Sequence, residues 1–232
     1  THQDERSDLR SAGIVLAASA MAILRGMTGF TLFLVAFWLR REEAATIWFG
    51  LMVASSALGA FIGAVAAPQL RRFVKEEYLL GGVLTIAAAV GIFATFPGDR
   101  MAVLAFVLSV GFAAGLGKLS FDAIVQRDAP TVNQGRSFAR FETRFQLFWV
   151  LGALIPVTAP NGVLPLRAGL LILALSSGSA AFLYLGGLIA LARGKRTPSR
   201  VIADQVWTEK RYENLNKRLP QWVTRIIPDP SR

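Results

Sequence analysis

The sequence has no cysteine, and its single histidine is His2. Disulfides and thiolate metal sites are therefore excluded. A His/Cys metal cluster, a Cys–His pair or a Ser–His pair cannot be built in the body of the chain. Charge is scarce too: Asp, Glu, Lys and Arg make up 17% of the 232 residues, against about 25% in soluble domains. No Gly-rich loop ending in Lys-Ser or Lys-Thr is present to cradle a nucleotide phosphate. These gaps predict no metal, no cofactor and no enzymatic activity; among membrane-embedded enzymes only a Ser/Lys arrangement is left open.

Apolar residues are abundant, at 53%, and mean hydropathy is +0.47. The charges are clustered rather than spread. Long stretches carry almost none, which is the pattern of a polytopic membrane protein whose first partner is the lipid bilayer. The net charge of +10 suggests nucleic acid, but the Lys and Arg residues lie in loops between apolar runs and in the tail, so no nucleic-acid partner is expected.

A bilayer core of roughly 30 Å takes about 20 helical residues to cross. Six segments are expected to do so: Ser11–Leu39, Ala45–Ala67, Tyr78–Phe96, Met101–Ile124, Arg140–Ala159 and Leu166–Leu191. The first is long enough to tilt. All are expected to be helical, because a lone strand cannot satisfy its backbone in lipid. Residues 1–10 are polar, have no apolar core of a signal peptide, and read as the end of a cytoplasmic interdomain linker. Residues 11–191 form the transmembrane domain. Residues 192–232 form a basic tail, either an amphipathic helix on an anionic leaflet or a disordered segment.

Short turns at Arg40–Glu43, Pro97-Gly98-Asp99 and Pro160-Asn161-Gly162 fall on one face. That face has only Arg40, Arg41, Arg100 and Arg167. The other face has Arg71, Arg72, Lys75, the Lys118–Arg144 stretch and both chain ends, so both ends are expected in the cytoplasm.

Arg25 lies within the first span. A charge at the bilayer centre costs about 2.5 kcal/mol or more, so it is expected to face a cavity or a partner. Its functional reading is a substrate contact or gating pair, with Thr28 and Thr31 nearby; its structural reading is a pair with a missing part of the protein or with a buried carbonyl. Lys118 and Asp122, at i and i+4, are either an interfacial pair or a cytoplasmic gate, with Asp122 the candidate for proton coupling. Gln126, Arg127, Asp128, Gly135, Arg136, Arg140, Glu142 and Arg144 form a charged loop motif. Its expected role is conformational, or that of a basic anchor at phosphate headgroups. Glu142 is expected to point away from Arg140 and Arg144. Gly59-x-x-x-Gly63 and Gly111-x-x-x-Gly115 are expected to serve helix packing. The aromatic set Phe138, Phe141, Phe145, Phe148 and Trp149 is expected to be packed or lipid-facing.

The run FDAIVQRDAP followed by GRSFARFETRFQLFWVLGAL resembles the loop between spans ten and eleven of actinobacterial major facilitator superfamily permeases, which are usually exporters. The first span, MAILRGMTGFTLFLVAFWLR, resembles span seven of the same group. GAVAAPQLRR stands where that superfamily has its Gly-x-x-x-Asp-Arg-x-Gly-Arg signature, but keeps only Gly63 and the pair Arg71 and Arg72. The conformational latch attributed to the signature thus lacks its acidic member.

The resemblance implies an all-α membrane fold, a six-transmembrane-helix bundle of two inverted three-helix repeats. This would be spans seven to twelve of a transporter whose N-terminal six-helix half is the partner. It further implies plasma-membrane location, a small-molecule substrate, alternating access and proton-coupled efflux, as in an antiporter. The alternative from another class is a non-transporting six-span scaffold or anchor working through its basic tail.

Overall fold

The computed structural model describes residues 2–128, 134–158 and 164–193, with side chains described for 12–127, 138–158 and 164–193. Their regular structure is helical throughout: α1 (His2–Arg41), α2 (Thr46–Leu70), α3 (Glu76–Thr95), α4 (Arg100–Asp128), α5 (Gln134–Val157) and α6 (Leu166–Ala192). By contacts the chain divides into a unit ending at Ile189, the helical bundle, and a second beginning at Ala190. The tail expected over 192–232 lies outside the described residues from 194 onward.

Five helical segments are long and apolar enough to cross a bilayer: Ala12–Arg41, Thr46–Leu70, Glu76–Thr95, Arg100–Arg127 and Leu166–Ala192. The chain is an all-α, multi-pass membrane protein. α5 departs from the expected span Arg140–Ala159. Its first half carries Arg140, Glu142 and Arg144, and its charge-free run is Phe145 to Val157. At 1.5 Å per residue that run is about 20 Å long, short of the roughly 30 Å hydrocarbon core.

The turns follow local chemistry. Glu43 takes a left-handed φ of 47°. Ala44 N–H then donates to Leu39 O (3.0 Å) and Glu43 N–H to Arg40 O (3.3 Å), which closes α1 in a Schellman motif without glycine. Gly98 (φ 61°) makes the next turn, and Asp99 Oδ1 caps α4 by accepting from Ala102 N–H at 2.8 Å. On the same face Arg41 donates to Leu164 O (2.9 Å) and the Arg100 guanidinium lies 5.2 Å from the Trp48 ring centroid.

Close approach of backbones organises the bundle. α2 packs on α4, and α1 packs on α5. A Cβ at Gly59 or Gly63 would run into the carbonyls of Leu108 or Phe112, and one at Gly111 or Gly115 into those of Ser56 or Ala60. Both Gly-x-x-x-Gly motifs thus face each other reciprocally, as packing motifs should. The α1–α5 contact has the same character without the motif: Gly29 abuts Trp149 O and Gly152 abuts Gly26 O. α3 packs on α4, and Ser177 of α6 donates to Leu84 O of α3 at 2.7 Å. Gly169 and Gly187 of α6 receive the Leu34 and Leu16 side chains of α1. Large apolar side chains such as Phe61, Phe93 and Phe182 point outward, as lipid-facing helices require.

Candidate functional site: a charged layer inside the bundle and an adjoining cavity

Arg25 sits on α1 where the glycines that follow it, Gly26 and Gly29, bring α1 against α5. Its Nε is buried and has no hydrogen-bond partner. Among the described residues its guanidinium makes no ion pair. Thr28 does not serve it directly: the Thr28 hydroxyl donates to the Arg25 carbonyl oxygen at 2.7 Å.

Beyond Thr28, α1, α2 and α4 border a half-open cavity of about 310 Å³, lined by Thr28, Thr31, Leu32, Met52, Ser56 and Val110 among others. The lining is apolar but for the hydroxyls of Thr28, Thr31 and Ser56. Thr31 is only 4% exposed, and its Oγ1 has no partner. The sequence points to Thr31 only as a neighbour of Arg25; nothing in helical spacing shows that its hydroxyl is left unmatched.

Lys118 and Asp122 form the expected pair, Nζ to Oδ1 2.8 Å. The spacing rule does not show that Lys118 also reaches Glu142 of α5, at 3.7 Å. Glu142 Oε1 in turn accepts from Gln146 Nε2 at 3.1 Å. The side chains are 32%, 23% and 44% exposed, so each pair has roughly the 0–1 kcal/mol of a surface bridge. The structural consequence is greater: one ammonium links α4 to α5 where their backbones do not meet through glycine.

These groups share a depth. At 1.5 Å per residue, Arg25 is about 21 Å along α1 from Leu39, Lys118 about 25 Å along α4 from Met101, and Arg144 about 20 Å along α5 from Val157. The Arg41–Leu164 and Arg100–Trp48 contacts put the first two reference ends on one face, and Gly26 lying against Phe148 O ties the level of Arg25 to that of Arg144. Gly117, beside Lys118, meets the Leu24 side chain beside Arg25. A charged layer on α1, α4 and α5 therefore begins short of a full bilayer crossing, where ionisable groups face protein or water rather than lipid.

The loop motif does not act as one cluster. Arg127 leaves it for α3, with Nη1 3.2 Å from Glu76 Oε2 and Nη2 on Glu77 Oε1. Glu76 and Glu77 were not singled out from the sequence. Their signal is two acids in the first turn of α3, where the helix dipole favours them. Gln126 is exposed at the end of α4, and Arg140 and Arg144 are exposed on α5. Arg144 borders a second groove of about 320 Å³ with Ser19 and Ala22 of α1 and Phe148 of α5. The side chains of Asp128, Gly135 and Arg136 lie outside the described residues. Of the aromatic set, Phe141 and Phe145 pack on Phe121 (5.4 and 5.1 Å between centroids) and Trp149 lies edge-on to Phe33. Phe148 is 44% exposed.

No family model matches the chain, and no solved structure matches it. It is 29% identical over 140 residues to an uncharacterised protein of Mycobacterium leprae (strain TN), a match covering 58% of this chain and 24% of that protein. The match thus spans about a quarter of that relative's length.

Proposed function

We infer that this chain is one six-helix half of a secondary active transporter of the major facilitator type. It moves a small molecule across the plasma membrane by alternating access, as proton-coupled efflux with both chain ends in the cytoplasm. The observation that carries this reading is the charged layer on α1, α4 and α5, which begins within the apolar thickness beside a cavity. A bundle that only anchored a complex has no use for a half-buried arginine inside a span, its Nε buried without a hydrogen bond.

The order of contacts supports the same reading. Exchanging α1 with α4, α2 with α5 and α3 with α6 turns the α2–α4 contact into α5–α1, and both contacts are close backbone approaches at glycine. The α3–α6 contact maps onto itself. Two three-helix repeats, the arrangement found inside each half of such transporters, would give an exchange of this kind, and it supports that reading. The resemblance in Gln126–Gln146 and in the first span points the same way, and Asp122 is the carboxylate offered for proton coupling.

The test is flux in vesicles carrying the protein at full length. Substrate movement should follow an imposed proton gradient and collapse with an ionophore. It should fall at least tenfold in Arg25→Ala or Asp122→Asn at equal, folded expression. Absence of flux for every member of a broad substrate panel would refute transport, and flux indifferent to the gradient would refute proton coupling.

A further inference from the structure

We propose that the molecule handled at this site is an amphipathic anion. Its apolar body lies in the cavity between α1, α2 and α4, and its carboxylate- or phosphate-type head lies at Arg25. The proposal rests on the transport reading and narrows it to a chemical class.

Charge balance comes first. Lys118 is offset by Asp122 and Glu142. Arg25 has no anionic partner among the described residues, and its Nε is buried without a hydrogen bond. Arg144, at similar depth on α5, also makes no ion pair among the described residues. The two arginines flank one contact: Gly26, beside Arg25, lies against Phe148 O, one turn from Arg144. The layer at this level is short of negative charge, and hydrogen bonds from guanidinium to an oxyanion are the strong, short kind.

Placement comes second. Arg25, Thr28, Leu32 and Ala36 recur at helical spacing along one strip of α1, and the last three line the cavity. Arg25 does not itself line the cavity; it stands one turn before Thr28 on this strip, beyond the cavity's Thr28 end. The cavity extends along α1 from Thr28 to Leu39, about 17 Å at 1.5 Å per residue, enough for an alkyl or aromatic body. Past Thr28 the next polar group on that strip is Arg25, which is where the head is placed.

The hydroxyls come third. Thr31 lines the cavity, is 96% buried by its 4% exposure, and has no partner for Oγ1. A buried hydroxyl of this kind calls for a partner, and a ligand atom in the cavity it lines can supply one. Thr28 has already given its proton to the Arg25 carbonyl, so Thr31 is the α1 donor left in the cavity. A cationic amphiphile would meet an uncompensated guanidinium past Thr28, and a neutral one would leave it unpaired.

The test uses the protein at full length in nanodiscs of zwitterionic lipid, with empty discs as blanks. Decanoate, decyl phosphate, decanol and decylammonium are compared by equilibrium binding. The two anions should bind at least about tenfold more tightly than decanol, the scale of a charge-assisted hydrogen bond, and decylammonium should bind weakest. Arg25→Gln should erase the preference for anions, Arg25→Lys should retain most of it, and Thr31→Val should weaken decanoate and decyl phosphate severalfold without changing their rank.

Discs containing phosphatidylglycerol separate the two sources of such a head. Undiminished decanoate binding identifies a soluble amphiphile, and competition identifies a membrane lipid; both retain the anion site. Equal binding of decanol and decanoate, no binding of either, or an anion preference that survives Arg25→Gln overturns the proposal. Gradient-driven flux that persists without anion preference would sink this inference alone, whereas anion binding without flux would sink transport alone.

Discussion

Replacing Gly111 by alanine sets two effects of known size against each other. Alanine is the better helix former by about 0.8–1.0 kcal/mol, so the change should stabilise wherever a methyl group has room. Gly186 supplies that case, since a Cβ there has nothing within 4 Å. At Gly111 the new Cβ would strike the Ser56 carbonyl oxygen, with Ser56 C at 3.0 Å and Cα at 3.1 Å. Every one of these atoms is backbone, so no side chain can rotate away; α2 and α4 must part. Overpacking of this kind costs roughly 1–3 kcal/mol. Gly111→Ala should therefore range from neutral to about 2 kcal/mol destabilised, and lie about 1–3 kcal/mol below Gly186→Ala. Adding Gly115→Ala, aimed at Ala60 O, should cost less than its single effect, because the helices have already separated. Equilibrium unfolding in mixed micelles measures the difference. Equal stability of Gly111→Ala and Gly186→Ala would refute the reciprocal glycine contact.

Four further outcomes follow from the same structure. Ser177→Ala removes the buried bond to Leu84 O and should destabilise by about 0.6 kcal/mol, with a ceiling of about 1.7, read by the same unfolding assay. Glu43→Gly relieves the left-handed φ of 47° and should stabilise by up to about 1 kcal/mol, since glycine adopts that conformation without steric cost. Arg127→Glu should loosen the joined ends of α3 and α4, raising protease or hydrogen-exchange sensitivity near Glu76. Combining it with Glu76→Arg and Glu77→Arg should restore protection. Lys118→Met leaves Asp122 and Glu142 near each other across α4 and α5 without their shared cation; hydrogen exchange in α5 around Glu142 should speed up, and adding Glu142→Gln should reverse it.

Much of the architecture was legible because it is written locally. Apolar length fixes helices, and Pro97-Gly98-Asp99 announces both a turn and the cap that Asp99 supplies to α4. Gly59, Gly63, Gly111 and Gly115 stand at the spacing that close helices need, and Lys118 and Asp122 stand one turn apart. What spacing does not encode is which faces of different helices meet. The Lys118–Glu142 link and the reach of Arg127 to Glu76 and Glu77 both join distant parts of the chain. The α1–α5 contact uses Gly26, Gly29 and Gly152, which form no four-residue repeat. α5 was read as an ordinary span because its apolar run was counted together with Arg140 and Arg144, which belong to the charged layer. The cavity belongs to three helices at once, so no window of sequence contains it.

The charged layer has an electrical consequence. Where α1, α4 and α5 carry their first charges about 20–25 Å from the opposite face, the insulating part of the barrier is thinner than the roughly 30 Å of hydrocarbon around it. Voltage falls across what insulates, so water reaching that layer concentrates the membrane potential into the remaining apolar stretch. An ion carried from the level of Arg25 to the far face then crosses most of the field, gaining or losing about 2.3 kcal/mol per elementary charge for each 100 mV. On the transport reading, the depth at which three helices lose their charge thus sets how strongly the membrane potential would drive an ion through this bundle.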